Sequence, residues 1–270
     1  MRGFRDEVAV VTGAGSGIGR ALTLDLARAG ARVEVCDIVG EAAEETATRI
    51  RDLGGWAKAV TLDVADRGAM QAYARDLEDE HGRVDLVINN AGRALAAQVV
   101  EQSIEDVYDV LDVNLRGVVN GTQAFLPALQ RTAAGRLVNI SSLFGLVAMP
   151  YNSAYAASKF GVRGYTEALA MELDIAESPV TVSCVHPGGV DTGIVDNART
   201  TPGNEELVEG FKQVLRMPPE KASRIILRGV ARGKRRIMVG TDAWVLSGAQ
   251  LLLGTRLQRL MAAGARRRLA

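Results

Sequence analysis

The sequence predicts a doubly wound α/β fold on a seven-stranded parallel sheet, flanked by helices on both faces, and two observations carry that expectation. Seven short runs rich in Val, Ile and Leu recur along the 270 residues, separated by amphipathic or alanine-rich stretches of helical length. Strands that read as continuous apolar runs are buried on both faces, the environment of a parallel sheet between two helix layers. The first run also leads directly into a glycine-rich turn and a helical segment, the order with which such sheets begin.

In chain order the predicted strands are VAVVT from Val8, ARVEVCD from Ala31, KAVTLD from Lys58, VDLVIN from Val84, GRLVNIS from Gly135, VTVSCV from Val180 and RRIMVG from Arg235. Two segments break the alternation. Residues 189–218 are polar and punctuated by Gly and Pro; an insertion of that length reads as a substrate lid or as a variable surface loop. Residues 241–270 extend past the last strand, with leucines at helical spacing over 242–262 and arginines at 266–268. That extension is expected to be a helix packed on its own protein or on a sister subunit, with a peripheral membrane-surface helix as the alternative. The chain 1–270 is expected to form a single domain.

Composition narrows the function classes. With 47% hydrophobic residues the chain can bury a large core, and 32 basic residues balance 32 acidic ones. No basic field or stripe with interleaved aromatics recommends nucleic acid as a partner. Cys36 and Cys184 lie in strand-like runs and read as buried free thiols. The amino terminus has too short an apolar run for a secretory signal, so a reducing, cytoplasmic setting is expected. No run is long enough to predict a transmembrane segment. There is no CxxC, HExxH or calcium-loop pattern, and His81 and His186 are far apart, so no metal site is expected.

The glycine turn runs Thr12, Gly13, Ala14, Gly15, Ser16, Gly17, Ile18, Gly19. Glycines there let backbone amides approach a pyrophosphate at the positive end of a helix, so Gly13, Ser16, Gly17, Ile18 and Gly19 are candidate dinucleotide-binding residues. The Gly-x-x-x-Gly-x-Gly spacing gains its meaning from lying between a strand and a helix. Asp37 closes the second predicted strand, eighteen residues after Gly19. Its carboxylate can accept hydrogen bonds from the adenosine ribose and repels a 2'-phosphate. Ile38 follows it rather than an arginine, which favours NAD over NADP; Arg20 and Arg32, the nearby cations, are read as solvated.

Tyr155 and Lys159 are four residues apart in YAASK, with Ser142 thirteen residues upstream of the tyrosine. On a helix the two project from one face. At roughly 4 Å and an effective dielectric of about 20, a cation favours a neighbouring phenolate by about 4 kcal/mol, which would bring a tyrosine from about 10 towards about 7. A phenol so placed exchanges protons near neutrality.

These pieces together resemble the compact short-chain dehydrogenases/reductases with an NAD(P)-binding Rossmann domain. The similarity runs from Glu7 to about Val239: TGAGSGIG, Asp63-Val64, NNAG at 89–92, Asn114 in VNLRG, Ser142 in NISS, YAASK, and PGGVDT at 187–192. The resemblance implies a homo-oligomeric oxidoreductase, dimer or tetramer, that moves hydride to or from nicotinamide C4. It implies Tyr155 as proton donor or acceptor and Lys159 as its tuner and ribose ligand. Ser142 would hold the substrate oxygen, and Asn114 a water that connects Lys159 to solvent. It places Asp63 and Val64 at the adenine, with a helix cap as the plainer reading of Asp63. Asn90, Ala91 and Gly92 would line the adenosine side; Val190 and Thr192 would hold the carboxamide after the Pro187-Gly188 turn. His186 is read as a packed neighbour.

The segment after Ser142, the GRALAA stretch from Gly92 and the excursion after Thr192 are expected to meet the substrate, through Leu143, Phe144, Leu146, Met149, Tyr151, Ile194, Val195 and Phe211. Their apolar character favours an apolar secondary alcohol or ketone, although each of them can equally be core. An NADP-dependent ketone reductase, a non-catalytic dinucleotide sensor and a sugar-nucleotide epimerase or dehydratase are the competing readings.

Overall fold

In the computed structural model, which describes residues 3–194, 199–200 and 216–268, the seven expected strands pair into one parallel sheet. They are β1 (Val8–Thr12), β2 (Arg32–Asp37), β3 (Trp56–Thr61), β4 (Leu86–Asn89), β6 (Arg136–Ile140), β7 (Thr181–Pro187) and β9 (Arg236–Val239). β5 (Leu95–Ala96) and β8 (Arg199–Thr200) form a separate two-residue pair. The third strand starts two residues earlier than expected because Trp56 and Ala57 pair with Arg32 and Val33.

Alternate side chains of each strand feed two different cores, as a period of two requires. From β1, Ala9 and Val11 join Leu22 and Leu26 of α1 (Gly17–Arg28), Ile50 of α2 (Gly40–Asp52) and Ile226 of the helix Pro219–Val230. Val8 and Val10 face the other way, towards Met70 and Leu77 of α3 (Arg67–His81), Phe125 of the helix Gly117–Gln130 and Leu169 of the helix Ser153–Ile175. In chain order the helices after α3 are α4 (Ile104–Leu111), α5 (Gly117–Gln130), α6 (Ser153–Ile175), α7 (Pro219–Val230), α8 (Thr241–Leu253) and α9 (Thr255–Arg268).

The sheet order is β3-β2-β1-β4-β6-β7-β9, so strand order reverses between β1 and β4. Ligand crevices in such sheets open at the carboxyl ends of the strands at that point. A buried polar ladder sets α6 against this edge: Asn89 Nδ2 donates to Asn139 Oδ1 at 2.8 Å, and Asn139 Nδ2 donates to Thr166 Oγ1 at 3.0 Å. Buried amides held in this way specify one register.

The extension differs from its expectation. It forms two helices rather than one, because Gly254 takes a left-handed φ of 52° and ends α8. Among the described residues, no helix is long and apolar enough to cross a membrane.

Candidate active site

A cleft of about 870 Å³ opens at the strand reversal, running from the glycine turn past Asn90 to Ser142, Tyr155 and Lys159. Thr12, at the end of β1, sets the relative height of the two loops: its Oγ1 accepts from the N–H groups of Asn90 and Ala91 at 3.0 and 3.1 Å. Asn90 Nδ2 returns bonds to the carbonyls of Thr12 and Gly13 at 2.9 and 3.1 Å. Gly13, with φ of 61°, lies so close that a Cβ would come within 2.8 Å of Ala91 Cα.

At the adenosine end, Asp37 Oδ2 accepts from Gly15 N at 2.8 Å and Oδ1 from Val39 N at 3.0 Å. The carboxylate therefore stands fixed at the end of β2, beside the exposed Ile38. Ser16 is the N-cap of α1 and makes no side-chain cap bond, which leaves first-turn N–H groups available to an anion. Arg20 is not solvated as expected. Its Nε donates to Thr46 Oγ1 at 3.0 Å, and its terminal nitrogen bonds Glu45 and the Gly15 carbonyl, because α2 brings Glu45 and Thr46 back over the turn. Arg32 is exposed and lies 5.9 Å from the centre of the Trp56 ring.

Asp63 lines the cleft, and its Oδ1 accepts from Ala65 N at 2.9 Å. The helix cap belongs to Asp66 instead, which accepts from Ala69 N at 3.0 Å. Val64, Ala91 and Gly92 are also wall residues, as are Pro187, Gly188, Val190 and Thr192 on the opposite loop.

Two site candidates stand behind the wall. Gly19 packs directly beneath the Gly13 carbonyl, where any Cβ would collide. Asn114 is fully buried in a π turn, Asp112–Arg116, between α4 and α5, a local unwinding that recurs at functional sites. Its Oδ1 accepts from Arg93 N at 2.7 Å, and its Nδ2 donates to Arg93 O at 2.9 Å and Ser158 Oγ at 3.0 Å. A Cβ built on Gly92 would lie 3.2 Å from Asn114 Oδ1 and 3.5 Å from Lys159 Nζ, so the two side chains converge there.

Tyr155 and Lys159 share the amino-terminal part of α6, as their spacing predicts. The phenol is not lowered as expected. Burial holds Tyr155 above its ordinary value, and a hydrogen bond with Ser142 offsets only part of that. Lys159 does not act on the hydroxyl: its Nζ lies 5.7 Å from the centre of the Tyr155 ring and donates to Ile140 O at 3.0 Å. Burial pushes the ammonium itself down to about 8. An ammonium has three donors, and among the described residues the bond to Ile140 leaves two that a ligand's hydroxyl groups can take.

Ser142 Oγ accepts from Phe144 N at 3.1 Å. Behind it, the fully buried His186 meets the Ser142 carbonyl through Nδ1 at 3.0 Å and is pushed down to about 4 by burial, so it is neutral packing rather than a base. Of the expected substrate contacts, Leu143, Phe144, Met149 and Ile194 line the cleft, with Ala94 and Ala96 of the GRALAA stretch. Leu146 does not: it is buried in a cluster with Val147, Met238 and Leu257, claimed by the extension. Tyr151 is also off the wall, in a left-handed turn with φ of 64° whose carbonyl accepts from Ala97 N. Val195 and Phe211 lie outside the described residues, as does most of 189–218.

Asn152, the last residue of the segment expected to meet the substrate, also lines the cleft, whereas Asp242 and Leu246 were not expected there. Asp242 Oδ2 accepts from Gly189 N at 2.7 Å, and a Cβ on Gly188 would collide with its carboxylate. It clamps the loop that carries Val190 and Thr192. An acidic residue early in a helix reads as a dipole partner, so nothing local pointed to a clamp across 53 residues.

The cleft fits a dinucleotide at both ends, by the glycine cradle against Asp37 and by the two spare donors of Lys159. Comparison with known proteins points the same way. The family model described as short chain dehydrogenase matches residues 7–203. A Mycobacterium tuberculosis protein named as an oxidoreductase, SadH, is 43% identical over 267 residues, covering 98% of this chain and 97% of that protein. A short-chain dehydrogenase/reductase from Burkholderia phymatum, solved in complex with NAD, superposes with a TM-score of 0.89 at 28% identity, over 96% of this chain and 97% of the other. A metagenomic short-chain oxidoreductase in complex with NADP gives a TM-score of 0.73 at 27% identity, over 88% and 98%.

Proposed function

Since the chain belongs to the short-chain dehydrogenase/reductase family of oxidoreductases, we propose that it interconverts an apolar secondary alcohol and its ketone, with NAD as hydride carrier and Tyr155 as general acid/base. The observation that carries this reading is that Ser142, Tyr155 and Lys159 open on one cleft whose other end is the glycine turn and Asp37. Bound there, the nicotinamide supplies a site at C4 that gives or takes hydride.

Tyr155 Oη gives its proton to the carbonyl oxygen in reduction and takes one from the hydroxyl in oxidation. Ser142 Oγ holds the same oxygen and stabilises the charge that develops on it. Lys159 turns its spare donors to the nicotinamide ribose. Asn114 keeps the Gly92-Arg93 peptide beside Lys159; its Oδ1 uses one lone pair on Arg93 N and retains a second for a water that resupplies protons. Because burial holds the phenol in its protonated form, ketone reduction is expected to be constant through neutral pH. Alcohol oxidation is expected to rise with pH as the phenolate forms. Parallel steady-state pH profiles in the two directions check this.

NAD is favoured over NADP by the fixed Asp37 carboxylate, by the apolar Ile38 and by Arg20, whose charge is committed to Glu45 and the Gly15 carbonyl. Asp37→Ala is expected to lower the ratio of kcat/KM with NAD to that with NADP by roughly tenfold or more, the worth of a lost hydrogen bond to a charged group. Equal use of both cofactors by the unaltered protein would count against the assignment.

Leu143, Phe144, Met149, Ile194 and Leu246 support an apolar substrate. Homo-oligomerisation through the helices of Asn114 and Tyr155 is supported by the exposed Ile104 and Tyr108 on α4 and Phe160, Met171 and Ile175 on α6. Free, buried Cys36 and Cys184 suit a reducing, cytoplasmic setting. The test is an absorbance screen at the nicotinamide band against secondary alcohols and ketones of graded size, with each cofactor. Dinucleotide binding without turnover on any of them would favour a sensing role instead.

A further inference from the structure

The extension has two unlike sides. Inward, Ala243 of α8 and Leu257 of α9 are buried with Leu143, Leu146, Val147 and Met238, and Leu246 continues into the cleft wall. Outward, Trp244, Val245, Leu251 and Leu252 are 67, 68, 86 and 84% exposed. At about 100° per residue, positions i, i+1, i+7 and i+8 fall within a single arc of a helix. Four large apolar side chains therefore form one stripe on α8. Scattered exposed leucines need no explanation, but a contiguous patch marks a contact surface.

The next helix adds charge. Arg256, Arg259 and Arg266 of α9 are exposed, and Arg267 and Arg268 follow in sequence, whereas Asp242 is the sole acidic residue of 241–270. The carboxylate of Asp242 is turned inward to Gly189. A chain of zero formal net charge thus carries a local excess of positive charge in the same segment, 241–270, that bears its apolar stripe.

We propose that the outward faces of α8 and α9 dock this protein on an anionic lipid bilayer. Trp244, Val245, Leu251 and Leu252 enter the boundary between headgroups and acyl chains, while the arginines meet anionic headgroups. A second copy of the chain is the competing occupant. A two-fold contact through α8 would bring two sets of arginines together, and like-charge repulsion opposes it. Docking involves no chemical step and stands apart from the proposed reaction. One consequence alone rests on that reaction: Leu246 lies on the docked helix, so an apolar alcohol dissolved in the bilayer has a short path to the cleft.

Flotation of the full chain with vesicles tests the proposal, using phosphatidylcholine alone and phosphatidylcholine mixed with phosphatidylglycerol. The protein is expected to float with the mixed vesicles, at least about tenfold more than with the neutral ones, and to be released by high salt. The triple variant Trp244→Ser, Leu251→Gln, Leu252→Gln and the double variant Arg256→Gln, Arg259→Gln are each expected to lose that binding by about tenfold or more. All five side chains are exposed, so melting temperatures should be unchanged, which separates lost docking from lost folding. Failure of the unaltered chain to bind the mixed vesicles would overturn the proposal, as would undiminished binding by the triple variant. A dimer in light scattering that the triple variant abolishes, without vesicle binding, would assign the stripe to a second copy.

Discussion

Tyr155→Phe is expected to lose turnover by roughly 10²–10⁴-fold, the usual worth of a positioned general acid or base, while NAD still binds. The phenylalanine keeps the ring that stands edge-on to Phe144, with centroids 6.0 Å apart, so the wall is preserved and only the hydroxyl is removed. Its partner Ser142 retains a bond to Phe144 N, which limits the disturbance to the proton-transfer group itself. Cofactor affinity followed by protein fluorescence, alongside absorbance turnover, separates the two effects. Wild-type-like turnover in this variant would remove Tyr155 from the reaction.

Lys159→Met is expected to abolish turnover and, at neutral pH, to stabilise the ligand-free protein. The lysine titrates at about 8 in the folded chain against 10.5 for the free side chain. Below the lower value both states are protonated, and folding bears the full cost of burying the charge. Between the two values the unfolded chain still binds the proton and the folded one does not, so stability rises with pH across that window. Above the upper value both are neutral and no penalty remains. At 1.36 kcal/mol per unit the penalty is about 3 kcal/mol. Methionine removes it at the expense of the bond to Ile140 O, which, made by a charged donor, contributes about 1.5–3 kcal/mol, so the net gain at neutral pH is the small remainder. The unaltered protein should therefore gain melting temperature from about pH 8 upward, and the variant should start higher and lack that gain. NAD should raise the melting temperature of the unaltered protein more than that of the variant. A variant less stable than the parent at neutral pH would show that the ammonium is satisfied by neighbours rather than strained by burial.

Much of the sheet was legible because buried parallel strands write themselves as apolar runs, VAVVT and LVIN being wholly buried. The β5 and β8 pair was not, since two residues carry no periodicity. The break at Gly254 was hidden inside a leucine-rich stretch whose spacing continues on both sides. The placement of the glycine turn and Asp37 on the cleft was readable because it is local, confined to one strand end and one helix start. Arg20 was misjudged because its partners Thr46 and Glu45 come from α2, about two dozen residues away. Asp242 and Leu246 reach the cleft only through the packing of an extension that sequence reading treated as peripheral. The mutual tuning of Tyr155 and Lys159 rested on separation along a helix, whereas direction decides it: Nζ is drawn to the Ile140 carbonyl, and burial outweighs attraction for both groups. Lys159 thus directs its ammonium to the Ile140 carbonyl rather than to the phenol.

A crystal structure with NAD bound is the decisive test of the roles of Asp37, Tyr155 and Lys159. The adenosine ribose is expected on the Asp37 carboxylate, the nicotinamide beside Tyr155 and Ser142, and Lys159 Nζ within hydrogen-bonding distance of the nicotinamide ribose. A nicotinamide lying away from Tyr155, with Lys159 still bonded to Ile140 alone, would contradict those roles.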